Sequence, residues 1–267
     1  MKAIILAAGY ANRLRSVTND GVIAKTLLPI EIDGKGQPIL YFLLDKIKRT
    51  KDISETIVIS NQKYYKQIKE ACENYPMDNI SIISNGTKDP SEAKGANADL
   101  SLALDLLYNS DEDILVLASD NYFEFELDDL VKYYNSLNKF EDNVNIVASK
   151  KYPESMKSYI ADKFGILDTS SNKKVVGLDE KPGIEKIKTT NVSLALYIFN
   201  REDFNKLNTF LDIYKDDKKK RDSLGYFINY MIHNTNMYTY EFDTAFYDIG
   251  TPDEYYQIAY KEENKVY

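Results

Sequence analysis

The chain has 267 residues, of which 43% are hydrophobic and 28% are charged. This composition excludes disordered and fibrous proteins and allows one sizeable core. The formal net charge is −8, which argues against nucleic acid as a partner because no overall positive field would attract a polyanion. The single cysteine, Cys72, excludes an internal disulfide framework and favours a reducing cytoplasm.

No segment has the length or composition of a membrane span. The first apolar run, Ala3–Ala8, is too short to cross a bilayer and lacks the pattern of a signal peptide. We therefore expect a cytoplasmic protein with no membrane partner. The densest basic run, Lys218–Arg221, follows two aspartates and is more typical of a solvated loop than of a binding patch.

Helices and strands alternate through the first half of the chain. Ala3–Ala8 is continuous in its apolar character and stops at Gly9, which is typical of a strand buried on both faces. The periodicity then predicts helices over 39–48, 64–73 and 98–108 and strands over 56–59, 80–83 and 114–118. This order predicts an α/β fold with a doubly wound, mostly parallel sheet, whose ligands bind beyond the carboxyl ends of the strands.

The second half is richer in strands. After a helix over 127–137, we expect strands over 144–149, 164–168, 175–179, 192–199 and 237–242 and helices over 202–211, 224–233 and 252–260. This β-rich half should extend or cover the mixed sheet. Because the chain shows no repeat and no linker, we expect a single domain over 1–267, with one half at about 1–125 and the other at about 126–267.

The first candidate site is the segment Leu6–Arg15, which is followed by Lys25. A strand that turns at a glycine exposes amides that can cradle phosphate oxygens, while Arg13 and Lys25 would neutralise their charge. The glycine spacing is neither that of a P-loop nor that of a dinucleotide fingerprint. A plain strand end with a flexible loop explains the segment about as well.

A second candidate site follows the apolar strand over 114–118. This strand delivers Asp120 at its carboxyl end, where open α/β sheets bind ligands. A carboxylate there is a natural Mg²⁺ ligand, and a second carboxylate from elsewhere would complete the site.

Three segments resemble the sugar-phosphate nucleotidyltransferase family, of the glucose-1-phosphate thymidylyltransferase and uridylyltransferase type. Leu6–Leu14 with Lys25–Pro29 is similar to its N-terminal signature, although Ala11 replaces the second glycine and Ala24 a proline. Ser119–Phe123 resembles the Gly-Asp-Asn segment with serine for glycine. Asp248–Pro252 matches the family's Asp-Ile-Gly-Thr-Pro segment.

The resemblance implies a Rossmann-like nucleotidyltransferase fold and a set of site residues. Arg13 and Lys25 would be catalytic, and Asp120 and Asp248 would bind Mg²⁺. A helix cap explains Thr251 to Glu254 without any function, but it leaves Asp248 unexplained. The implied nucleotide contacts are Leu6, Ala8, Gly9, Tyr10, Ala11, Asn12, Gly95, Asn97 and Ser119.

The second half resembles the part of the family that binds the acceptor. The similar segments are Lys163–Leu167, Val175–Pro182 and Asn191–Phe199, with Ala195 where glycine is usual. The implied acceptor contacts are Asn121, Gly165, Glu180, Lys181 and Asn191. Taken alone, a hairpin that ends in Glu-Lys-Pro is more typical of an exposed turn with a weak ion pair.

The resemblance implies transfer of a nucleoside monophosphate from an NTP to a phosphorylated small molecule, with a sugar 1-phosphate as the expected acceptor and pyrophosphate as the product. Two alternatives stay open. Asn97 with Ser101 and Leu102 is also similar to the phosphocholine cytidylyltransferases, which would make the acceptor phosphocholine or another phosphorylated amine or amide. A sugar-nucleotide sensor without catalysis is the other, and a homo-oligomer is compatible with the sequence.

Overall fold

The computed structural model describes residues 1–32, 34–107 and 110–259. By contacts the chain divides into two compact units. The N-terminal unit comprises Ala3–Ala93, Leu117–Leu127 and the residues from Thr244 on, and the central unit comprises Met1–Lys2, Lys94–Val116 and Asp128–Asp243. The expected organisation as one domain with two halves stays a prediction.

The described residues form strands and helices that alternate in the first half of the chain and occur in runs in the second half. The strands are β1 (Lys2–Ala7), β2 (Pro29–Ile32), β3 (Lys35–Pro38), β4 (Glu55–Ser60), β5 (Ile80–Ser84), β6 (Ile114–Ala118), β7 (Asn121–Phe123), β8 (Val144–Lys151), β9 (Gly165–Thr169), β10 (Val175–Glu180), β11 (Asn191–Phe199), β12 (Asn236–Phe242) and β13 (Phe246–Asp248). The helices are α1 (Ile39–Arg49), α2 (Tyr65–Asn74), α3 (Ala96–Leu106), α4 (Leu127–Leu137), α5 (Lys157–Lys163), α6 (Asn205–Ile213), α7 (Lys218–Asp222), α8 (Leu224–Asn234) and α9 (Pro252–Ala259).

In the N-terminal unit, β1 lies between β4 and the last residues of β6, and β5 follows β4. β4 and β5 are parallel, in register from Thr56 opposite Ile80 to Ser60 opposite Ser84. Ile4 and Ile5 are fully buried, so β1 is covered on both faces, as its unbroken apolar sequence predicts.

Two short antiparallel pairs complete this unit. β2 pairs with β3, and β7 pairs with β13. Helix α2 packs against β5, and α9 packs against β2. These four strands of three or four residues have no hydrophobic period, and the sequence does not predict them.

In the central unit, β9 lies between β10 and β11, and both neighbours are antiparallel to it. β8 pairs antiparallel with β11 and parallel with β12. Helix α8 packs against β10. β8, β9, β10 and β11 all take part in antiparallel pairs, in agreement with the β-rich composition of the second half.

The predicted α/β class with a mostly parallel sheet is confirmed. The predicted bounds of β6 and α4 agree with the structure, and most other elements shift by one to three residues. The predicted helices over 98–108 and 252–260 end at Tyr108 and Tyr260, which lie outside the described residues. Among the described residues, no helix is long and apolar enough to cross a membrane.

The prediction of a loop at Lys218–Arg221 is wrong. These residues form the short helix α7, with Lys218 and Lys219 exposed. The side chain of Asp217 accepts a hydrogen bond from the backbone N–H of Lys220 at 3.0 Å. An aspartate before a short run of good helix formers is a favourable N-cap, and this satisfies an amide that a loop would leave to water.

A buried lysine fixes the chain after β7. Lys46, on α1, is only 4% exposed. Its Nζ donates to the carbonyl oxygens of Glu124 at 3.1 Å and Phe125 at 2.8 Å and to the carboxylate of Glu126 at 2.8 Å. Because a buried ammonium must be paired, these three acceptors hold the segment that leaves β7 in one position.

We expect Lys46→Met to lower the free energy of unfolding by roughly 2–3 kcal/mol, because two carbonyl oxygens and a carboxylate lose a charged donor. Lys48→Met, two residues along the same helix, is the matched control, since Lys48 is exposed and surface changes stay within about 0.5 kcal/mol. Urea unfolding of both variants gives the comparison. Equal losses in the two variants would contradict the assigned role of Lys46.

Candidate functional site

The carboxyl ends of β1 and β6 meet in the N-terminal unit. The backbone N–H of Ser119 donates to the carbonyl of Leu6 at 3.1 Å. One residue beyond β1, the carbonyl of Ala8 accepts a hydrogen bond from Asn61 Nδ2 at 3.0 Å, and Asn61 is fully buried. The loop after β1 therefore starts from a fixed point at the end of the sheet.

The loop itself has one open position and one strained one. A Cβ built on Gly9 would have no neighbour within 4 Å, so space lies beside this backbone. Tyr10 is buried and its hydroxyl donates to Thr87 Oγ1 at 2.7 Å. Ala11 has φ 53° and ψ 34° and precedes a 3₁₀ turn over Asn12–Leu14. The left-handed conformation explains why glycine is usual at this position, and here alanine adopts it.

Arg13 lies against the segment that follows β13. A Cβ built on Gly250 would lie 3.2 Å from Arg13 Nη2 and 3.2 Å from Glu254 Oε2. Glu254 Oε2 also accepts from the backbone N–H of Gly250 at 2.8 Å and of Thr251 at 2.9 Å. The predicted capping box is thus confirmed, and its glutamate carries negative charge close to the arginine.

Lys25 and Asp120 form an ion pair, with Nζ and Oδ2 2.5 Å apart. The two side chains are 15% and 26% exposed, so water screens their attraction less than it would at the surface. Lys25 begins a 3₁₀ turn whose next residue, Thr26, donates from its hydroxyl to the carbonyl of Ser119 at 3.3 Å. The lysine is therefore held at the end of β6.

The pairing of β7 with β13 brings the second carboxylate to the first. Asp248 lies opposite Asn121 in the register, and the backbone N–H of Ile249 donates to the carbonyl of Asp120 at 3.0 Å. Asn121 is buried, while Asp120 and Asp248 are partly exposed. Main-chain bonds therefore place two carboxylates from distant parts of the sequence in adjacent positions.

Most of the predicted nucleotide and metal residues lie in the N-terminal unit: Leu6, Ala8, Gly9, Tyr10, Ala11, Asn12, Arg13, Lys25, Ser119, Asp120 and Asp248, together with Asn121. Within the described ranges 1–32, 34–107 and 110–259, no cluster of three or more histidine, cysteine, aspartate or glutamate side chains could hold a metal. A metal at Asp120 and Asp248 would therefore draw its remaining ligands from water or substrate, as Mg²⁺ commonly does.

A different set of predicted residues meets in the central unit. Gly165, on β9, lies in register between Glu180 on β10 and Ser193 on β11. Its built Cβ would be 3.0 Å from Glu180 Oε2. Ser223 Oγ donates to Glu180 Oε1 at 2.8 Å. The glutamate of the predicted acceptor site is thus held in one orientation.

β11 carries two further buried polar residues, one of which lies close to this glutamate. Tyr197, on β11, is 3% exposed, and burial together with the negative charge of Glu180 raises the pKa of its hydroxyl, with an opposing hydrogen bond from Ser193. Asn191, at the start of β11, is buried, and its Oδ1 has no hydrogen-bond partner among the described residues. An unpaired buried acceptor is costly in an isolated protein and would be satisfied by a donor on a ligand.

Lys181 follows the end of β10 and is exposed. Its φ is 49°, in the left-handed region, and its backbone N–H donates to the carbonyl of Phe164 at 3.1 Å. A groove of about 690 Å³ runs along this turn and is lined by Glu180, Lys181, Lys186 and Lys188 with Asp179, Pro182, Glu185 and Ile187. The groove is lined by three lysines and three carboxylates, and the strained, exposed Lys181 is its candidate anion-binding residue.

Gly95 and Asn97 belong to the central unit, whereas the loop after β1 belongs to the N-terminal unit. A Cβ on Gly95, whose φ is 90°, would be 2.6 Å from the Cα of Asp222. Asn97 is fully buried, and its Nδ2 donates to the carbonyls of Lys220 at 3.0 Å and Ser223 at 2.9 Å. Both residues thus have structural roles, and their role as nucleotide contacts stays a prediction.

The sequence does not single out Gly250, Ser223 or Gly225 as site residues. A Cβ on Gly225 would lie 1.9 Å from Glu180 Oε2. The available signal is a glycine in the first turn of an otherwise apolar helix, a position where glycine lowers helix stability. Such a glycine indicates close packing against another part of the chain, which the sequence alone does not identify.

Comparison with known proteins identifies the family that the sequence matches. The sequence model of the nucleotidyl transferase family matches residues 2–265. The chain is 24% identical over 214 residues to a UTP–glucose-1-phosphate uridylyltransferase of Synechocystis. The aligned region covers 76% of the chain and 50% of the relative. The chain is 26% identical over 265 residues to a putative mannose-1-phosphate guanyltransferase of Sulfolobus acidocaldarius, and this alignment covers 97% of the chain and 62% of the relative. The chain thus spans only about half to three fifths of these relatives.

A solved structure shows the same fold. It is a putative glucose-1-phosphate thymidylyltransferase of Bacillus anthracis in complex with sucrose, with a TM-score of 0.75 and 18% identity. The match covers 100% of the chain and 97% of the other protein. The expected Rossmann-like nucleotidyltransferase fold is therefore confirmed.

We expect Ala11→Gly to raise the free energy of unfolding by roughly 0.5–1 kcal/mol, because the left-handed strain that it relieves exceeds the entropy that glycine adds to the unfolded chain. Ala98→Gly on α3 is the matched control, and we expect it to lower stability by about 1 kcal/mol, since Ala98 is helical. Thermal or urea unfolding measures both. A loss in Ala11→Gly as large as in the control would contradict the strained loop.

Proposed function

The chain belongs to the nucleotidyl transferase family, and we propose that it transfers a nucleoside monophosphate from an NTP to a sugar 1-phosphate and releases pyrophosphate. The observation that carries this proposal is the arrangement of Lys25, Asp120 and Asp248 beyond the carboxyl end of β6, where Lys25 pairs with Asp120 and the β7–β13 pairing brings Asp248 alongside. Cation and carboxylates at that place are the groups that phosphoryl transfer requires, since its catalysis is mainly positioning and electrostatic stabilisation.

The NTP phosphates would bind at the loop after β1. Open space beside Gly9 lets phosphate oxygens approach the backbone, and Arg13 and Lys25 supply positive charge. In this assignment the two cations stabilise the charge that builds up as pyrophosphate leaves. Lys25 would exchange its bond with Asp120 for phosphate oxygens when substrate and metal bind.

Asp120 and Asp248 suit Mg²⁺. The donor set consists of two partly exposed carboxylates held adjacent by the β7–β13 pairing, and Mg²⁺ is usually bound by one or two carboxylates together with phosphates and water. When bound, Mg²⁺ supplies positive charge that neutralises phosphate oxygens. The ion pair with Lys25 is compatible with this role, because it shows that the Asp120 carboxylate already faces a cation.

The acceptor would bind at Glu180 and Lys181. The fixed carboxylate of Glu180 can accept a hydrogen bond from a sugar hydroxyl, and Asn191 Oδ1 is a second acceptor for one. Lys181, with Lys186 in the same groove, supplies positive charge for the acceptor phosphate, whereas Lys188 pairs with Asp179 at 3.7 Å. The sugar 1-phosphate is favoured over other acceptors because it carries both the hydroxyls and the phosphate that these residues recognise.

In the proposed reaction the acceptor phosphate attacks the α-phosphorus of the NTP in line with the leaving pyrophosphate. Lys181 orients the nucleophile, and Arg13 and Lys25 act on the leaving group. No protein base is required, because a phosphate dianion is already nucleophilic. The proposal places this reaction in a reducing cytoplasm, in agreement with the single buried Cys72.

The contacts near Gly165 bear on the phosphocholine alternative, which calls for an aromatic cage around a quaternary amine. Phe164 packs with Tyr152 and Tyr159. The ammonium of Lys163, however, already lies 4.9 Å from the centre of the Phe164 ring and 5.4 Å from that of Tyr159. The protein's own cation thus uses these rings, which favours a sugar.

The test is pyrophosphate release with Mg²⁺ for ATP, CTP, GTP, UTP and dTTP, each against sugar 1-phosphates, phosphocholine and other phosphorylated amines. We expect turnover with one or a few sugar 1-phosphates, and the active pair identifies the base, which differs among the relatives. Turnover with phosphocholine alone would replace the sugar assignment. Binding of an NTP without turnover against any acceptor would favour a sensor.

We expect Asp120→Asn and Asp248→Asn each to lower turnover by about 10²–10³-fold, the range seen when one electrostatic contact to the reacting phosphates is removed. Asp129→Asn is the isosteric control, because Asp129 is exposed on α4. Steady-state rates at several Mg²⁺ concentrations measure the effect. Full activity in either variant would remove that aspartate from the metal site.

We expect Lys181→Gly to raise the acceptor KM by about tenfold or more, since it removes a charged hydrogen bond, and to raise the melting temperature, since it relieves left-handed strain. The NTP KM should stay unchanged. Lys173→Gly is matched in both residue type and backbone, with a φ of 64° in the exposed turn between β9 and β10, and should raise only the melting temperature. An unchanged acceptor KM in Lys181→Gly would contradict the phosphate assignment.

A further inference from the structure

The residues between Lys220 and Gly225 connect two parts of the central unit. This segment, called here the 220–225 segment, runs from the end of α7 into the first turn of α8. On one side it contacts the start of α3, and on the other it contacts Glu180. Its contacts on both sides are specific hydrogen bonds at partly buried positions.

The contact with α3 fixes the backbone of the segment. Asn97 Nδ2 donates to the carbonyl of Lys220 at 3.0 Å and to that of Ser223 at 2.9 Å. Asn97 is fully buried, so both hydrogen bonds are protected from competition with water. On the same side, only a glycine fits at position 95, because a Cβ there would be 2.6 Å from the Cα of Asp222.

The contact with Glu180 fixes both carboxylate oxygens. Ser223 Oγ donates to Oε1 at 2.8 Å, a charge-assisted hydrogen bond. Oε2 occupies the space that a side chain at position 225 would fill, because a Cβ on Gly225 would be 1.9 Å from it. The carboxylate is therefore oriented by the hydrogen bond from Ser223 at Oε1 and by close packing against Gly225 at Oε2.

Helix formation does not explain Gly225. The residue lies in the first turn of α8, where glycine is a poorer helix former than alanine. The space left by the missing side chain is filled by Glu180 alone among the nearest neighbours of the built Cβ. The glycine thus accommodates the glutamate at the expense of helix stability.

We propose that Ser223 and Gly225 are positioning residues for Glu180, and that Asn97 holds them in place, so that the 220–225 segment sets the affinity for the sugar hydroxyls of the acceptor. This rests on the proposed function, in which Glu180 accepts a hydrogen bond from such a hydroxyl. A carboxylate held in one orientation binds a hydroxyl better than a mobile one, because no side-chain freedom is lost on binding.

The test measures the KM values for acceptor and NTP in Gly225→Ala and Ser223→Ala, with the active substrate pair of the wild-type protein. Gly225→Ala puts a methyl group in the space of the carboxylate, and Ser223→Ala removes the hydroxyl without adding any atom. We expect the acceptor KM to rise about tenfold in each variant, the size of one charge-assisted hydrogen bond, and the NTP KM to stay within about twofold of the wild-type value.

Two further variants separate positioning from general damage. Ser223→Thr retains the hydroxyl and should restore most of the acceptor affinity. Ser101→Ala is the control, because Ser101 Oγ also donates a side-chain hydrogen bond, to the neutral amide oxygen Asn208 Oδ1 at 2.9 Å on the exposed face of α3, and it should leave both KM values unchanged. In a Glu180→Ala background, Gly225→Ala should add nothing to the acceptor KM, since coupled residues are not additive.

An unchanged acceptor KM in both Gly225→Ala and Ser223→Ala would overturn the positioning proposal and leave the proposed function intact. An equal rise in both KM values, or an additional effect of Gly225→Ala in the Glu180→Ala background, would also overturn it. Wild-type protein that turns over none of the substrate pairs overturns the proposed function, and the positioning proposal falls with it.

Discussion

The candidate phosphate site depends on the main-chain pairing of β7 with β13. Two carboxylates placed next to each other repel, and neither gains from leaving water. The bond from the Ile249 amide to the Asp120 carbonyl and the register of Asp248 with Asn121 set their positions without reference to side-chain charge. The N-terminal unit can therefore maintain a concentration of negative charge, part of which Lys25 offsets directly.

The sequence predicts the long elements well and the short ones poorly, for a physical reason. β6 and α4 have an apolar pattern that is sufficient to define their ends, because burial acts on every residue of a long element. β7 and β13 have three residues each and are strands only because each pairs with the other. For α7 the deciding interaction is one local cap from Asp217, which outweighs the preference of charged residues for solvated loops.

The candidate site residues divide in the same way, into those that a local sequence pattern identifies and those that only the folded structure brings together. Lys25 and Asp120 can be identified from the sequence because each stands in a motif next to a strand end. The residues around Glu180 cannot be identified in this way. Ser223 and Gly225 lie at the start of α8, far along the chain, and no local sequence pattern relates them to β10. The capping box of Thr251 and Glu254 is visible in the sequence, whereas the proximity of Arg13 to Gly250 exists only in the folded unit.

The position of β13 and α9 in the chain also determines the order of folding during synthesis. Both elements belong to the N-terminal unit, yet the ribosome makes them after the whole of the central unit. The strand Asn121–Phe123 must therefore wait unpaired until Phe246–Asp248 has emerged, and closing so long a loop is slow. The contiguous residues Asp128–Asp243 can meanwhile fold among themselves. Of the two units, the one that contains Ala3–Ala93 is therefore completed after the one that contains Asp128–Asp243.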